Sequence, residues 1–288
     1  MLNVTDPYLL VDEAYAKVRQ SVSGQSDAWL FEQTMLTAPS RRAFLSALPI
    51  QDGWDILDLG TGFGGSAFDI ACQRHCHVRG VDYDSEKLQV SRTIWSILNE
   101  NDFFNGRGTI SFEEGNAYDL PYPDHSFQFV LSRFLFQHLT RPEDALLQLN
   151  RVVSRDGYIC LIDVDDQLSL TYPASKAYLE LMEAYRQLQL RRGGDRLVGR
   201  KLAHYASAAG FQVVGTMIQT SAGYSVSEPN SLPTSMLMTH FHRERESLVR
   251  EGLISEIEFD TYMLELEQSN VGPHFRTNSE VVVIAKKV

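Results

Sequence analysis

The sequence is poor in positive charge. It contains 26 lysine and arginine residues against 37 aspartate and glutamate residues, which gives a formal net charge of -11. A protein that binds nucleic acid needs a basic surface to displace the counterions of the phosphate backbone. The short basic stretches Arg191-Arg192 and Arg243-Glu244-Arg245 are typical of solvated helix faces. The composition therefore predicts a partner other than nucleic acid.

Cysteine and long apolar runs are scarce as well. Three cysteines in 288 residues do not describe a disulfide framework and are typical of a reducing compartment. No stretch has the roughly 18 to 20 apolar residues of a membrane span, and residues 1–6 lack the features of a signal peptide. We expect a cytoplasmic protein without a membrane span. The oligomeric state stays open, with a homodimer as one candidate.

Short apolar runs alternate with amphipathic stretches after a helical N-terminal segment. Residues 8–50 repeat apolar positions at helical spacing. From residue 54 onward, strands alternate with helices, which is typical of a doubly wound α/β fold with a parallel sheet. The predicted strands span residues 56–59, 78–82, 110–113, 127–131, 158–163, 211–214 and 280–285.

Two segments of the chain are longer than simple connections. Insertions of this length in a compact domain commonly form lids or binding loops. The predicted organisation is an N-terminal helical cap at 1–50, a cofactor-binding core at 51–166, a helical insertion at 167–200, the rest of the core sheet at 201–220 and 277–288, and a helical lid insertion at 221–276.

A glycine-rich loop follows the first predicted strand. Gly60, Gly62 and Gly65 fit the G-x-G-x-x-G loop that binds dinucleotides. Gly60, Gly62 and Gly64 fit the G-x-G-x-G loop of enzymes that bind S-adenosylmethionine (SAM). Either cofactor also needs a ribose-binding carboxylate after the second strand, where Asp82 stands. The loop alone therefore leaves two cofactors open.

Two further features favour SAM. A buried Asp58 beside the loop needs hydrogen-bond donors, which the amino group of SAM supplies, whereas a dinucleotide pyrophosphate would be repelled. Residues 115–130, GNAYDLPYPDHSFQFV, resemble the G-[DN]-A-x-x-L-P-[FY]-x-D-x-S-F-D-x-V motif of class I SAM-dependent methyltransferases, in the branch that includes the ubiquinone and menaquinone C-methyltransferases. Residues 56–64 and 80–84 are similar to the first two motifs of that family, so the resemblance covers residues 52–164.

The resemblance implies a Rossmann-like, seven-stranded, three-layer fold whose last strand lies antiparallel beside the fifth. It also implies SAM as the cofactor and S-adenosylhomocysteine (SAH) as its product. By the family's motifs, Asp82 binds the ribose and Tyr83 stacks on the adenine. The implied cofactor-binding residues are Asp58, Gly60, Thr61, Gly62, Gly64, Asp82, Tyr83, Asn116, Ala117, Ser132 and Arg133.

Candidate acceptor-binding residues follow the same strands. His138 is a candidate catalytic base or acceptor-positioning group because imidazole titrates near neutral pH, and a structural role at a helix start is the alternative. Asp163, Asp165 and Asp166 form either a ligand-binding loop or a solvated loop and helix cap, and the sequence favours the second. The candidates for the acceptor pocket are Phe134, Gln137, His138, Asp163, Met238 and Phe275.

A compact group of cysteine and histidine residues invites a comparison with zinc sites. Cys72, His75, Cys76 and His77 stand close together, but no second pair completes four ligands at the spacing of structural zinc. No metal is predicted.

We therefore expect a SAM-dependent methyltransferase that acts on a small organic acceptor, in specialised metabolism. Methyl transfer from a sulfonium depends on aligned reacting atoms and excluded water, and a general base assists only some acceptors. A quinone-pathway C-methyltransferase and a protein that binds SAM without methylating are the alternatives. The acceptor and the atom methylated stay open.

Overall fold

The computed structural model describes residues 6–22, 27–100, 108–227, 232–269 and 272–288. These residues form a mixed sheet with helices on both of its faces. The strands are β1 (Asp55–Leu59), β2 (His77–Asp82), β3 (Thr109–Glu114), β4 (Phe127–Arg133), β5 (Val153–Val164), β6 (Thr171–Tyr172), β7 (Phe211–Ser227) and β8 (Gly272–Lys287). The α-helices are α1 (Pro7–Val22), α2 (Ala28–Leu36), α3 (Ala38–Ser46), α4 (Gly65–Gln73), α5 (Ser85–Glu100), α6 (Pro142–Val152), α7 (Lys176–Arg191), α8 (Leu202–Ala208), α9 (Leu232–Arg250) and α10 (Glu256–Ser269).

The first five strands form the parallel part of the sheet, in the order β3-β2-β1-β4-β5. The apolar run of β1 is buried because β2 and β4 flank it on both sides, with Asp58 opposite Gly80 and Leu131. This arrangement confirms the predicted α/β class. The strand order reverses at β1, so the carboxyl ends of β1 and β4 border the crevice where doubly wound folds bind ligands.

The last strand runs antiparallel beside β5, as the family resemblance implies. Val164 pairs with Glu280 at one end of the contact and Tyr158 pairs with Lys286 at the other. The described sheet has eight strands rather than the expected seven, because the two-residue strand β6 pairs with β8 near Phe275.

Strands β7 and β8 extend far beyond the sequence prediction. They contain 17 and 16 residues, so residues 221–227 and 272–276 are strand instead of part of a helical lid. In this extension Gly223 pairs with Arg276. Residues 221–224, which alternate between the two faces of the strand, are all exposed, so neither face of the hairpin needs the apolar alternation that reveals a half-buried strand.

The N-terminal helices pack against one face of the sheet. Tyr15 of α1 is buried, and its hydroxyl donates a 2.7 Å hydrogen bond to the carbonyl oxygen of Phe63 in the glycine-rich segment. On α3, Arg41 and Arg42 both bind the fully buried carboxylate of Asp69 on α4, at 2.7 and 2.8 Å. These contacts make the helical cap part of the same core.

Helices α7, α9 and α10 form a separate apolar cluster, with Leu181, Phe241 and Phe259 fully buried at its centre. Its members come from the two predicted insertions, which therefore pack on each other. Within the described ranges, no helix has the length and apolar character to cross a membrane.

Candidate active site

The glycine loop turns between the end of β1 and the start of α4. Gly60, Gly62 and Gly64 have φ angles of 77°, 54° and 82°, values that residues with a side chain rarely adopt. The backbone N–H groups of Gly60 and Thr61 donate to the carbonyl oxygen of Val81 on β2, at 2.8 and 3.0 Å. The loop is thereby held across the carboxyl end of the sheet.

Asp82 joins the glycine loop to the turn that follows β2. Its carboxylate accepts one hydrogen bond from the Gly62 N–H (2.8 Å) and one from the Asp84 N–H (3.0 Å). Burial raises the pKa of Asp82 above its usual range. A Cβ built on Gly62 meets no atom within 4 Å, so the loop faces open space here. The backbone, the carboxylate and this space fit the predicted cradle of a nucleoside-bearing cofactor.

Asp58 lies beneath the same loop and is 2% exposed. Thr61 Oγ1 donates a 2.7 Å hydrogen bond to its carboxylate. Burial, with a smaller contribution from the Asp82 carboxylate, raises the pKa of Asp58 to about 6, although Thr61 and Arg41 act in the opposite direction. The ionised form is poorly satisfied by the protein alone, which suits a cationic partner such as the amino group of SAM.

The predicted adenine-binding residues differ in exposure and in the hydrogen bonds that they already form within the protein. The Tyr83 side chain is 75% exposed at the end of β2, so its ring is accessible for stacking. Asn116 Oδ1 accepts a 3.0 Å hydrogen bond from the Tyr118 N–H, which engages the amide oxygen in its own turn. Ala117 is buried in the apolar cluster below. Adenine recognition by these residues stays a prediction.

At the end of β4, Ser132 is buried without a described hydrogen-bond partner, whereas Arg133 forms an ion pair. Ser132 is 1% exposed, and its Oγ has no hydrogen-bond partner among the described residues. The Arg133 guanidinium donates to both carboxylate oxygens of Glu280 on β8, at 2.6 and 3.1 Å, and lies 4.0 Å from the centre of the Phe134 ring. Arg133 is therefore held by β8, and Phe134 packs against it.

Gln137 and His138 follow β4 on a short 3-10 turn. Gln137 is buried, its N–H donates to Asp163 (3.1 Å), and its side-chain oxygen accepts from Arg196. These contacts link Gln137 to β5 and to the segment after α7, and its place in the acceptor pocket stays a prediction. His138 is exposed beside it, and the surrounding protein, together with the charges of Arg196 and Lys87, lowers its pKa to about 4.

Asp163 lies in β5, and Asp165 and Asp166 follow that strand. Asp165 caps a short 3-10 turn, which is the predicted helix cap, but the aspartates are not solvated. Asp163 is fully buried, and burial raises its pKa to about 7. Asp165, also buried, binds Arg200 at 2.5 and 2.6 Å, and Asp166 binds Arg196 at 2.7 and 2.9 Å. Arginines from the segment after α7 thus pair with Asp165 and Asp166, whereas the Asp163 carboxylate accepts from the N–H groups of Gln137 and Val164. The place of Asp163 in the acceptor pocket stays a prediction.

The other two pocket candidates lie in the insertions. Met238 is 7% exposed and packs inside the cluster of α7, α9 and α10. Phe275 lies in the extended hairpin, where it pairs with Tyr172 on β6 and Tyr224 on β7. Met238 is thus a core residue of the helical cluster, and its place in the acceptor pocket stays a prediction.

The cysteine and histidine group lies at the amino end of β2, opposite the glycine loop. Cys76 is buried, which raises the pKa of its thiol, and His77 Nδ1 is hydrogen-bonded to Thr109 Oγ1 at 2.8 Å. In the part of the chain that the structure describes, no three His, Cys, Asp or Glu side chains form a group that could hold a metal ion.

The sequence did not reveal an aromatic cluster formed by the N-terminal cap and the helical insertions. Trp29 of α2, Tyr185 of α7 and His240 of α9 meet there, with ring centroids 5.5 Å apart for Trp29 and His240 and 4.4 Å apart for Tyr185 and His240. The Arg196 guanidinium lies 5.5 Å from the centre of the Tyr185 ring. Spacing could not find this group, because its members come from distant segments.

The fold and this cradle define a SAM-binding domain of the Rossmann-like type. Residues 57–161 match the family described as a methyltransferase domain. This domain is similar to class I SAM-dependent methyltransferases, and the comparisons support SAM as its cofactor.

Curated proteins are similar to this chain over part or nearly all of its length. An uncharacterized methyltransferase of Schizosaccharomyces pombe is 32% identical over 39% of each chain. Ajmaline N-methyltransferase of Rauvolfia serpentina is 26% identical over 38% of this chain and 35% of its own. These matches therefore span less than half of either relative. An uncharacterized protein in transposon TN4556 of Streptomyces fradiae is 25% identical over 96% of this chain and 78% of its own.

Solved structures share the fold. YcgJ of Bacillus subtilis superposes with a TM-score of 0.55 at 19% identity and covers 86% of this chain and 98% of its own. Geranyl diphosphate methyltransferase in complex with SAM gives a TM-score of 0.54 at 13% identity, with 92% of each chain covered.

Proposed function

We propose that the whole chain transfers a methyl group from SAM to a small organic acceptor. The observation that carries the proposal is the cradle itself: a glycine loop with open space at Gly62, closed from below by the carboxylates of Asp58 and Asp82. The family assignment supports the cofactor, and the helical cluster outside the matched domain supports an acceptor site built by the rest of the chain.

The chain's residues would bind and orient rather than carry the chemistry. Asp82 would hold the ribose, the glycine loop would lie along the methionine part of the cofactor, and ionised Asp58 would attract its amino group. When bound, SAM supplies an electrophilic methyl group on a sulfonium, which leaves as a neutral sulfide. The protein then has to align the acceptor and exclude water, for which no acid is needed.

His138 is the candidate base for an acceptor that must lose a proton. It follows β4 at the carboxyl edge of the sheet, and its side chain is exposed. Its pKa of about 4 keeps the imidazole neutral at pH 7, so it is able to accept a proton but is a weak base. Alignment would therefore contribute more to catalysis than proton transfer.

Transfer of tritium from methyl-labelled SAM to an organic-extractable product tests the proposal. The acceptors are a panel of small phenols, alcohols, amines and conjugated ketones, and an Asp82→Ala variant is the matched control. Labelled product with the wild-type protein and background counts with the variant support methyl transfer. SAH binding without product from any acceptor class supports the alternative of a SAM-binding protein that does not methylate.

A further inference from the structure

Three aromatic side chains meet where the N-terminal cap touches the helical insertions. The centroid of the His240 ring lies 5.5 Å from that of Trp29 and 4.4 Å from that of Tyr185, whose ring stands edge-on to it. The three residues belong to α2, α7 and α9. The cluster therefore depends on three elements outside the matched methyltransferase domain.

Two polar atoms in this cluster have no hydrogen-bond partner in the part of the chain that the structure describes. Trp29 Nε1 and His240 Nδ1 are both buried without a hydrogen bond to any described residue. Buried polar groups are rarely left unpaired because desolvation without a hydrogen bond is costly. Two such atoms on neighbouring rings indicate one small polar group that would satisfy both.

The cluster is connected to the cofactor edge of the sheet by a chain of charged contacts. Asp27, two positions before Trp29, forms a 3.0 Å ion pair with Lys87 at the start of α5. On the other side, Arg196 lies 5.5 Å from the Tyr185 ring centre. Both cations are near enough to lower the pKa of His138. Arg196 also donates to the side-chain oxygen of Gln137, the neighbour of His138, so this arginine contacts both the cluster and the turn that carries the candidate base.

The donor and acceptor properties of the two rings restrict the chemistry of a ligand. An indole N–H only donates, whereas a neutral imidazole nitrogen accepts when the proton is on the other nitrogen. His240 is neutral at pH 7, because burial chiefly lowers its pKa to about 4. A hydroxyl group matches this pair, since its oxygen accepts from Trp29 and its hydrogen is donated to His240.

The charges around the cluster disfavour an anionic ligand group. Arg196 is paired with Asp166 at 2.7 Å, and Lys87 is paired with Asp27 at 3.0 Å. Glu244, one turn after His240 on α9, is itself paired with Arg192 at 3.0 Å. A carboxylate or phosphate would therefore meet cations whose charges neighbouring carboxylates already compensate.

We propose that Trp29 and His240 bind the hydroxyl group of a planar, uncharged methyl acceptor, with the Tyr185 ring as a flat wall beside it. That the ligand is a methyl acceptor rests on the proposed function. The binding of a hydroxyl group at Trp29 and His240 does not depend on methyl transfer and is tested separately. Trp29 and His240 are specificity-determining residues in this account, and His138 stays the candidate base.

Three matched probes test the site without requiring methyl transfer. The affinities of 2-naphthol, naphthalene and 2-naphthoate for the SAH-saturated protein are measured by calorimetry. The probes share one ring system and differ in carrying a hydroxyl, nothing or a carboxylate. We expect 2-naphthol to bind at least about tenfold more tightly than either of the others, as the two hydrogen bonds to a neutral group predict.

Two variants assign the preference to the two nitrogens. Trp29→Phe and His240→Phe each keep an aromatic ring and remove one polar atom, so each should weaken 2-naphthol binding about 3- to 10-fold and leave naphthalene unchanged. His242→Phe is the control, since His242 is exposed on the same helix and packs near Phe259. SAH affinity reports whether each variant is folded.

The wild-type comparison decides the proposal even if a variant fails to fold. Absence of a preference for 2-naphthol, through equal binding or no binding, overturns it, and so does an unchanged preference in both variants. Tighter binding of 2-naphthoate overturns it in favour of an anion site. A clear preference for 2-naphthol without label transfer from SAM would refute the proposed function and leave this site standing.

Discussion

The hydroxyl of Thr61 donates a 2.7 Å hydrogen bond to the buried carboxylate of Asp58. This contact joins the glycine loop to the end of β1. Asp58 is one of the features by which the sequence favours SAM over a dinucleotide. The carboxylate is 2% exposed, and its pKa of about 6 means that the protein alone does not fully compensate its charge. A cationic group on the cofactor would complete the site.

The affinity for SAH should rise with pH as Asp58 ionises. The folded-state pKa is raised from 3.8 to about 6, so Asp58 favours folding most below pH 4, and this contribution is lost as pH rises through 6. Because only the ionised form attracts the amino group of the cofactor, SAH affinity should increase about tenfold between pH 5 and pH 7. Calorimetry at several pH values measures it, and Asp58→Asn should bind weakly without this pH dependence. If Asp58→Asn showed the same pH dependence of SAH affinity as the wild type, another titrating group would be responsible for it.

Gly62→Ala should abolish cofactor binding while costing little stability. The Gly62 φ of 54° makes any side chain strained by roughly 1–2 kcal/mol, and its Cβ would enter the open space above the loop. Gly53→Ala is a matched control, since Gly53 also has a positive φ (81°) and no atom within 4 Å of a built Cβ, but it precedes β1 at the other end of the sheet. Similar melting temperatures with SAH binding lost only in Gly62→Ala support the cradle, whereas equal SAH affinities would contradict it.

Asp69→Asn should destabilise the protein far more than a change at an exposed member of the same network. Asp69 is fully buried and holds both Arg41 and Arg42, so its neutralisation leaves a buried guanidinium uncompensated, at a cost of about 3–5 kcal/mol. Asp12 is 50% exposed where it binds Arg42, so Asp12→Asn should cost less than about 1 kcal/mol. Urea denaturation of both variants measures the difference, and equal losses would show that the buried pair has no special role.

The parallel core was predictable from the sequence because each of its strands is a short apolar run between polar turns. Buried strands such as β1 have this composition wherever they lie in the sheet. The far half of the β7–β8 hairpin was not predictable. Residues 219–223 are small or polar, and the two large or apolar residues Tyr224 and Val226 are exposed, so their pairing with β8, and not their composition, makes this segment strand.

The cofactor cradle was predictable because its residues are close in sequence and follow a family motif. Contacts between distant segments were not. Asp165 looked like a solvated residue because its partner, Arg200, stands 35 positions later. Trp29 and His240 are more than 200 positions apart, and nothing in either local sequence indicates that their rings meet.

The central claim is that Gly60 to Gly64, with Asp82, cradle SAM. Calorimetric titration of the wild-type protein and of Asp82→Ala with SAH, beside a titration with NAD, tests it most directly. Asp124→Asn serves as the control, since Asp124 is exposed and precedes β4 at the opposite end of the sheet. We expect SAH to bind the wild type and the control with micromolar affinity, to bind Asp82→Ala at least about 100-fold more weakly, and NAD to bind none of them. NAD binding to the wild type, or wild-type SAH affinity in Asp82→Ala, would contradict the claim.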